Sequence, residues 1–170
     1  MKKIRPFIYS IVILTITLAV FLSAYSENIN KGLSENIIRL HVLANSDSDE
    51  DQSLKLKVRD RVLEYMQDKL KDSNNIEESK AILNDNMESI KKIAEQEIES
   101  QGKNYDVKVS LGNYPFPTKE YGNIALPAGV YQALQVKIGK AEGQNWWCVL
   151  FPPLCFVDLT HGSMPSESVE

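Results

Sequence analysis

Residues 143–157 read Gly-Gln-Asn-Trp-Trp-Cys-Val-Leu-Phe-Pro-Pro-Leu-Cys-Phe-Val, and they hold both tryptophans, both cysteines and two of the five phenylalanines of the chain. Aromatic side chains bury the most apolar area per residue, so this segment belongs at the centre of the core. Residues 146–151 are uncharged and dominated by aromatic and aliphatic side chains, as a strand buried on both faces requires. Pro152 and Pro153 end that strand, because neither can donate to a ladder.

Working outward, residues 139–143 return the chain from a preceding strand into the aromatic one. Strands joined by so short a connection are expected to pair antiparallel. In that preceding strand Val130, Leu134, Val136 and Ile138 form the inner face, with Tyr131, Ala133, Gln135 and Lys137 outside. Pro127-Ala128-Gly129 is turn chemistry. Residues 119–126 suit a short strand, and residues 112–118, with Pro115 and Pro117, a loop or irregular edge. Val107, Val109 and Leu111 alternate with Lys108 and Ser110, which predicts a strand over 105–111. The first strong strand is residues 37–44. Its Ile38, Leu40, Val42 and Ala44 face the core, while Ile37, Arg39, His41 and Leu43 make a partly covered face.

Between these strands the apolar period changes to that of a helix. Leu54, Val58, Val62, Met66 and Leu70 recur every four residues, predicting a helix over 49–71 with Ser48 as N-cap. Asp47, Asp49 and Asp51 alternate as in a calcium loop. The sixth and twelfth positions are Gln52 and Val58, where a glycine and a glutamate are needed, so the acids read as helix-start chemistry. Asn75 with Glu78 caps a second helix that runs through Ile76, Leu83, Met87, Ile90, Ala94 and Ile98 to Gly102. The fold class predicted is α+β: a mostly antiparallel sheet of four to five strands, with two long antiparallel helices packed on one face.

Lys2, Lys3 and Arg5 precede 18 uncharged residues, 7–24. A cationic start and an apolar run read as an export signal, and the run is also long enough for a membrane anchor. Ala24-Tyr25-Ser26 offers a cleavage site, and both readings stand. The expected organisation is a signal peptide or anchor over 1–26, a linker over 27–35, one domain over 36–160 and a flexible tail over 161–170. Residues 1–26 hold three of the 19 basic residues and none of the 23 acidic ones, so the remainder carries a net charge of about −7. That balance excludes nucleic acid or an anionic membrane surface as the partner, and leaves the membrane only to the N-terminal segment.

Cys148 and Cys155 are the only cysteines. Outside the cytoplasm they suit a disulfide, worth about 2.5 kcal/mol for so short a loop; two buried thiols are the alternative. Cys148 also invites a catalytic reading. With His161 or His41 as base, Asp158 as orienter and Gln144 as oxyanion donor, it would hydrolyse an amide in cell-wall peptide. Its place mid-strand between Trp147 and Val149 opposes this, because an apolar setting makes a thiol inert. A zinc site from Cys148, Cys155, His41 and His161 has wider cysteine spacing than zinc motifs use. No phosphate loop, serine elbow or H-E-x-x-H motif occurs. Neither cofactor nor metal is expected.

Three strings together resemble one family. They are Ile38-Arg39-Leu40-His41-Val42-Leu43-Ala44-Asn45-Ser46-Asp47 running on through Glu50-Asp51-Gln52, Leu54-Lys55 and Val58-Arg59-Asp60; Leu126-Pro127-Ala128-Gly129-Val130-Tyr131-Gln132-Ala133-Leu134; and residues 143–156. In register and order over about 36–158, they are similar to the stage II sporulation protein R family of endospore-forming bacteria. The resemblance implies an exported signalling protein, not an enzyme. Such a protein is made in the forespore and enters the space between forespore and mother-cell membranes. There it triggers a membrane-embedded aspartic protease that processes the sigma-E precursor. The polar residues of the strings that the core does not need are the expected partner contacts: Arg39, His41, Asn45, Asp47, Gln144 and Asn145.

Overall fold

The computed structural model describes residues 4–121 and 124–155; the expected tail over 161–170, with His161 and Asp158, lies outside them. The elements are α1 Ile4–Glu35, β1 Ile38–Leu43, α2 Asp49–Leu70, α3 Ile76–Asp85, α4 Met87–Ser100, β2 Val107–Phe116, β3 Lys119–Tyr121, β4 Ile124–Leu126, β5 Gly129–Ile138 and β6 Asn145–Phe151. The fold is α+β. Its sheet has four strands in the order β2-β5-β1-β6, and β3 and β4 form a separate two-stranded ribbon. The β2–β5 and β1–β6 pairs are antiparallel, and β1–β5 is parallel.

The strand order corrects one expectation. β5 and β6, joined by a short connection, do not pair with each other, because β1 lies between them. The reason is apolar demand. β1 is buried on both faces along most of its length, and only an interior position with a strand on either side provides that.

One face of the sheet presents Ile38, Leu40, Val42, Leu134, Val136, Ile138, Cys148 and Leu150. These share one cluster with Leu54, Val58, Val62, Met66, Leu83, Ile90, Ala94 and Ile98 from the helices. Ser48 caps α2 by accepting from the Asp51 N–H, and Asn75 caps α3 by accepting from the Glu78 N–H. The second long helix is a correction: it is two helices, α3 and α4, broken at Asn86. Asn86 has φ −107° and ψ 6°. Its side-chain amide donates to the Ile82 carbonyl at 2.7 Å and its Oδ1 accepts from the Tyr65 hydroxyl at 2.8 Å. A side chain that competes for the local backbone in this way ends a helix.

The opposite sheet face departs most from expectation. It is not partly covered but closed by a second cluster of Ile37, Phe116, Leu126, Tyr131, Ala133 and Val149, with Tyr114, Tyr121, Trp147 and Leu154 against it. Residues 112–116 are strand, not loop; β2 is an edge strand, where Pro115 is tolerated. Val130, expected inside, is 60% exposed, while Tyr131 is buried. Residues 27–35, expected as a polar linker, continue α1.

Among the described residues no helix is long and apolar enough to cross a membrane. The consecutive side chains described in α1, residues 12–25, are all exposed. They include Ile13, Leu14, Val20 and Phe21, each more than 60% accessible.

After β6 the chain turns at Pro152 and brings Cys155 back to Cys148, with which it forms a disulfide, Cα–Cα 5.7 Å. Both cysteines are buried. Replacing both with alanine is expected to lower stability by about 2.5 kcal/mol, the chain-entropy value for so short a loop. A reduced midpoint in denaturant-induced unfolding, with the slope fitted separately because the uncrosslinked chain unfolds to a more open state, is the check.

Candidate functional site

The site is built on β1, the strand that alternates aliphatic residues with Arg39 and His41. Across the sheet, Arg39 lies in a row with Gly112, Ala133 and Val149, and His41 in the next row with Ser110, Gln135 and Trp147. Gly112 and Ala133 are small, which leaves room above the sheet beside Arg39. Aromatic rings fill it. The Arg39 guanidinium carbon lies 4.1 Å from the centre of Phe116, 4.8 Å from Tyr131 and 5.8 Å from Tyr121. Its Nη2 donates to the Tyr121 hydroxyl at 2.7 Å. Arg39 is fully buried, yet its Nε and Nη1 have no acceptor. None of the ion pairs among the described residues involves it. Burial pushes the Tyr121 phenol up, against the pull of the neighbouring guanidinium.

His41 stacks on Trp147 with ring centres 3.8 Å apart, and Phe116 meets Trp147 edge-on at 4.5 Å. The Gln135 side-chain amide donates to His41 Nδ1 at 3.0 Å. Nε2 lies 2.8 Å from Asn145 Oδ1. The arrangement requires the Nε2–H tautomer, since Asn145 Oδ1 can only accept. Burial lowers the imidazole pKa from 6.5 to about 4; the Asn145 bond opposes this, and Lys137 and Arg39 add to it. His41 is therefore neutral at pH 7.

Asn145 connects this interior to the end of the sheet, where two loops interlock. Asn45 donates from Nδ2 to Asp51 Oδ2 at 2.8 Å and accepts at Oδ1 from the Lys140 N–H at 3.0 Å. Asp47 Oδ1 accepts from the Gln144 N–H at 2.7 Å. The Glu142 and Gly143 N–H groups donate to the carbonyls of Asn45 and Ala44. Lys55, buried on α2, donates to Gln52 Oε1 and to the Gln144 carbonyl. Burial would raise the Asp51 carboxyl, but hydrogen bonds from Ser46 and Asn45 outweigh it and hold the group below its usual value.

The six expected contact residues thus divide. Arg39 and His41 are inside the molecule; Asn45 and Asp47 join the two loops through their side chains. Gln144 and Asn145 are exposed, and Asn145 also binds His41. Sequence reasoning missed Phe116, Tyr121, Tyr131 and Gln135. The available signal was the alternation of aromatic and polar residues on the face of β5 that carries Tyr131, Ala133 and Gln135.

The arrangement gives no support to a Cys148 nucleophile. Its sulfur is bonded to Cys155. Cys148 faces the helices, whereas His41 stacks on Trp147 over the other face. The same bond withholds both thiolates from a zinc ion, and among the described residues no cluster of three metal-ligating side chains occurs.

Two outcomes follow from this geometry. A Cβ on Gly143 would lie 2.2 Å from the Ser46 carbonyl oxygen, which is backbone and cannot swing away. Gly143→Ala should destabilise the fold by about 1–3 kcal/mol in denaturant unfolding. The second is pH dependence. Because the folded imidazole titrates near 4 and the unfolded one near 6.5, its contribution is complete above pH 6.5 and is lost as pH falls towards 4. The loss is about 3 kcal/mol. His41→Gln should flatten the stability profile in that window, measured by denaturation at successive pH values.

Comparison with known proteins agrees with the resemblance read from the strings. A sequence model of Stage II sporulation protein R matches residues 34–161. The Stage II sporulation protein R of Bacillus subtilis (strain 168) is 44% identical over 142 residues, which is 84% of this chain and 63% of that protein. The chain therefore spans less than two thirds of that relative's length. No solved structure matches. The chain belongs to the stage II sporulation protein R family.

Proposed function

We propose that this sporulation protein is an exported signal that activates a membrane-embedded aspartic protease, which then processes the sigma-E precursor. Family membership over residues 34–161 carries the reading. Export places the domain between the forespore and mother-cell membranes, on the side where it meets the protease. Two structural features support export. A disulfide persists in oxidising compartments outside the cytoplasm, and Cys148 and Cys155 form one. Residues 12–25 of α1 leave their apolar side chains without protein cover, which suits an export signal.

Activation of this kind is a shift between two states of the partner. The signal must bind the active state more tightly than the inactive one. To take a protease from about 1% to about 99% active, that preference must be roughly 10⁴-fold. A buried, hydrogen-bonded scaffold with a rigid rim at Gln144 and Asn145 is suited to such discrimination.

The test is reconstitution. The full chain, the protease and the sigma-E precursor are combined in lipid vesicles and cleavage is followed by gel shift. Cleavage should rise severalfold over vesicles with protease alone, and should be nil with the chain alone. A chain that leaves protease-dependent cleavage at its basal rate defeats the reading.

A further inference from the structure

We propose that Arg39 is the receptor for a carboxylate on an acidic peptide segment of the partner, and that the Tyr121 hydroxyl holds that position in the structure described. That the peptide belongs to the protease rests on the activation reading above; the site itself does not.

Three observations carry the inference. Arg39 has no exposed surface, Nε and Nη1 have no acceptor and Nη2 makes a single bond, so among the described residues four of its five N–H groups lack one. Buried polar groups are nearly always satisfied, and one that is not calls for an explanation. Second, among the described residues the only hydrogen bond from the guanidinium goes to a neutral phenol, Tyr121, at 2.7 Å. A carboxylate in place of that hydroxyl would form the charge-assisted pair for which a guanidinium is shaped. Third, the walls differ. Phe116 and Tyr131 are buried and belong to long strands of the main sheet. Tyr121 is partly exposed and belongs to the ribbon, whose strands, among the described residues, pair only with each other. Its hydroxyl has one further partner, the Trp147 carbonyl at 3.5 Å, at the limit of a useful bond. Tyr121 is therefore the wall that a competing acceptor can displace at least cost. The aromatic surroundings favour a carboxylate on a peptide over a fully hydrated free anion, because the rings accept apolar atoms beside the charge.

The experiment titrates ¹⁵N-labelled full chain, in detergent micelles at pH 7, with N-acetyl-aspartyl amide, its neutral isostere N-acetyl-asparaginyl amide, and inorganic phosphate. The readout is the Arg39 Nε–H resonance. Tyr121→Phe keeps the ring and removes the competing hydroxyl. The aspartyl probe should shift the resonance saturably and the asparaginyl probe should not. Tyr121→Phe should tighten binding about tenfold, the equivalent of one charge-assisted hydrogen bond released. The proposal falls if the variant shows no saturable shift, if the asparaginyl probe acts equally, or if removal of the hydroxyl leaves affinity unchanged. It falls also if phosphate saturates the site below the aspartyl concentration, which would assign it to a phosphate or lipid headgroup. No protease is present, so failure here leaves the activation reading standing, and failure of the vesicle assay leaves this one.

Discussion

A guanidinium lies on the central strand of the sheet with no ion-pair partner among the described residues, and the second layer of the molecule is arranged around it. Removing such a charge from water costs several kcal/mol even after relaxation. Rings close to a desolvated cation each return up to about 2 kcal/mol. Phe116 and Tyr131 are the close pair here, with Tyr121 at the outer range and supplying the one hydrogen bond found among the described residues. This requirement accounts for the length of β2. It continues through Pro115 to Phe116 because Phe116 must reach over the sheet to Arg39. It also accounts for the ribbon, which brings Tyr121 to the same place.

β1 imposes a second constraint through its connections. It lies between β5 and β6, so the loop leaving β1 must pass the loop joining β5 to β6. Polar side chains take up that crossing. Asn45 and Asp47 accept backbone N–H groups from residues 140 and 144, and Gly143 fits where a Cβ would strike the Ser46 carbonyl. On either side of β6 a tryptophan stacks on a nitrogenous group. Arg59 lies 4.0 Å over Trp146 from the helix side, and His41 stacks on Trp147 from the other. The aromatic strand is thus gripped by α2 and by β1 at once.

Much of this was legible in the residues, and the limits have physical causes. The strand over residues 146–151, the caps at Ser48 and Asn75, and the stripes Leu54–Val58–Val62–Met66 and Ile90–Ala94–Ile98 follow from local periodicity and capping chemistry, and the structure has them. Period-two alternation also assigned Ile38, Leu40 and Val42 to one face and Arg39 and His41 to the other. It states which side chains share a face, but not what covers that face. The cover comes from Phe116, Tyr121 and Leu126, all remote in the chain, with Phe116 between two prolines that suggest a loop or irregular edge. Strand order was hidden for a similar reason. A short connection favours pairing of its two strands, and the pull of β1 into the gap is a long-range packing effect. The break at Asn86 is local, but it depends on Tyr65 from a different helix.

The division of roles within the matched strings bears on the signalling role proposed above. Asn45, Asp47 and His41 have polar partners inside the molecule, so substituting them acts first on the loops and the core. A rim so held presents Gln144 and Asn145 from a rigid base, and rigidity reduces the ordering entropy lost on association. Arg39 differs, since its bonds are incomplete where the charge is most shielded from water. An acceptor from outside would gain more there than at the surface, because electrostatic attraction strengthens as water is excluded. A partner that completes this site would gain affinity only in a conformation that delivers its carboxylate past Tyr121. Such dependence on one conformation is the differential binding that the proposed activation requires.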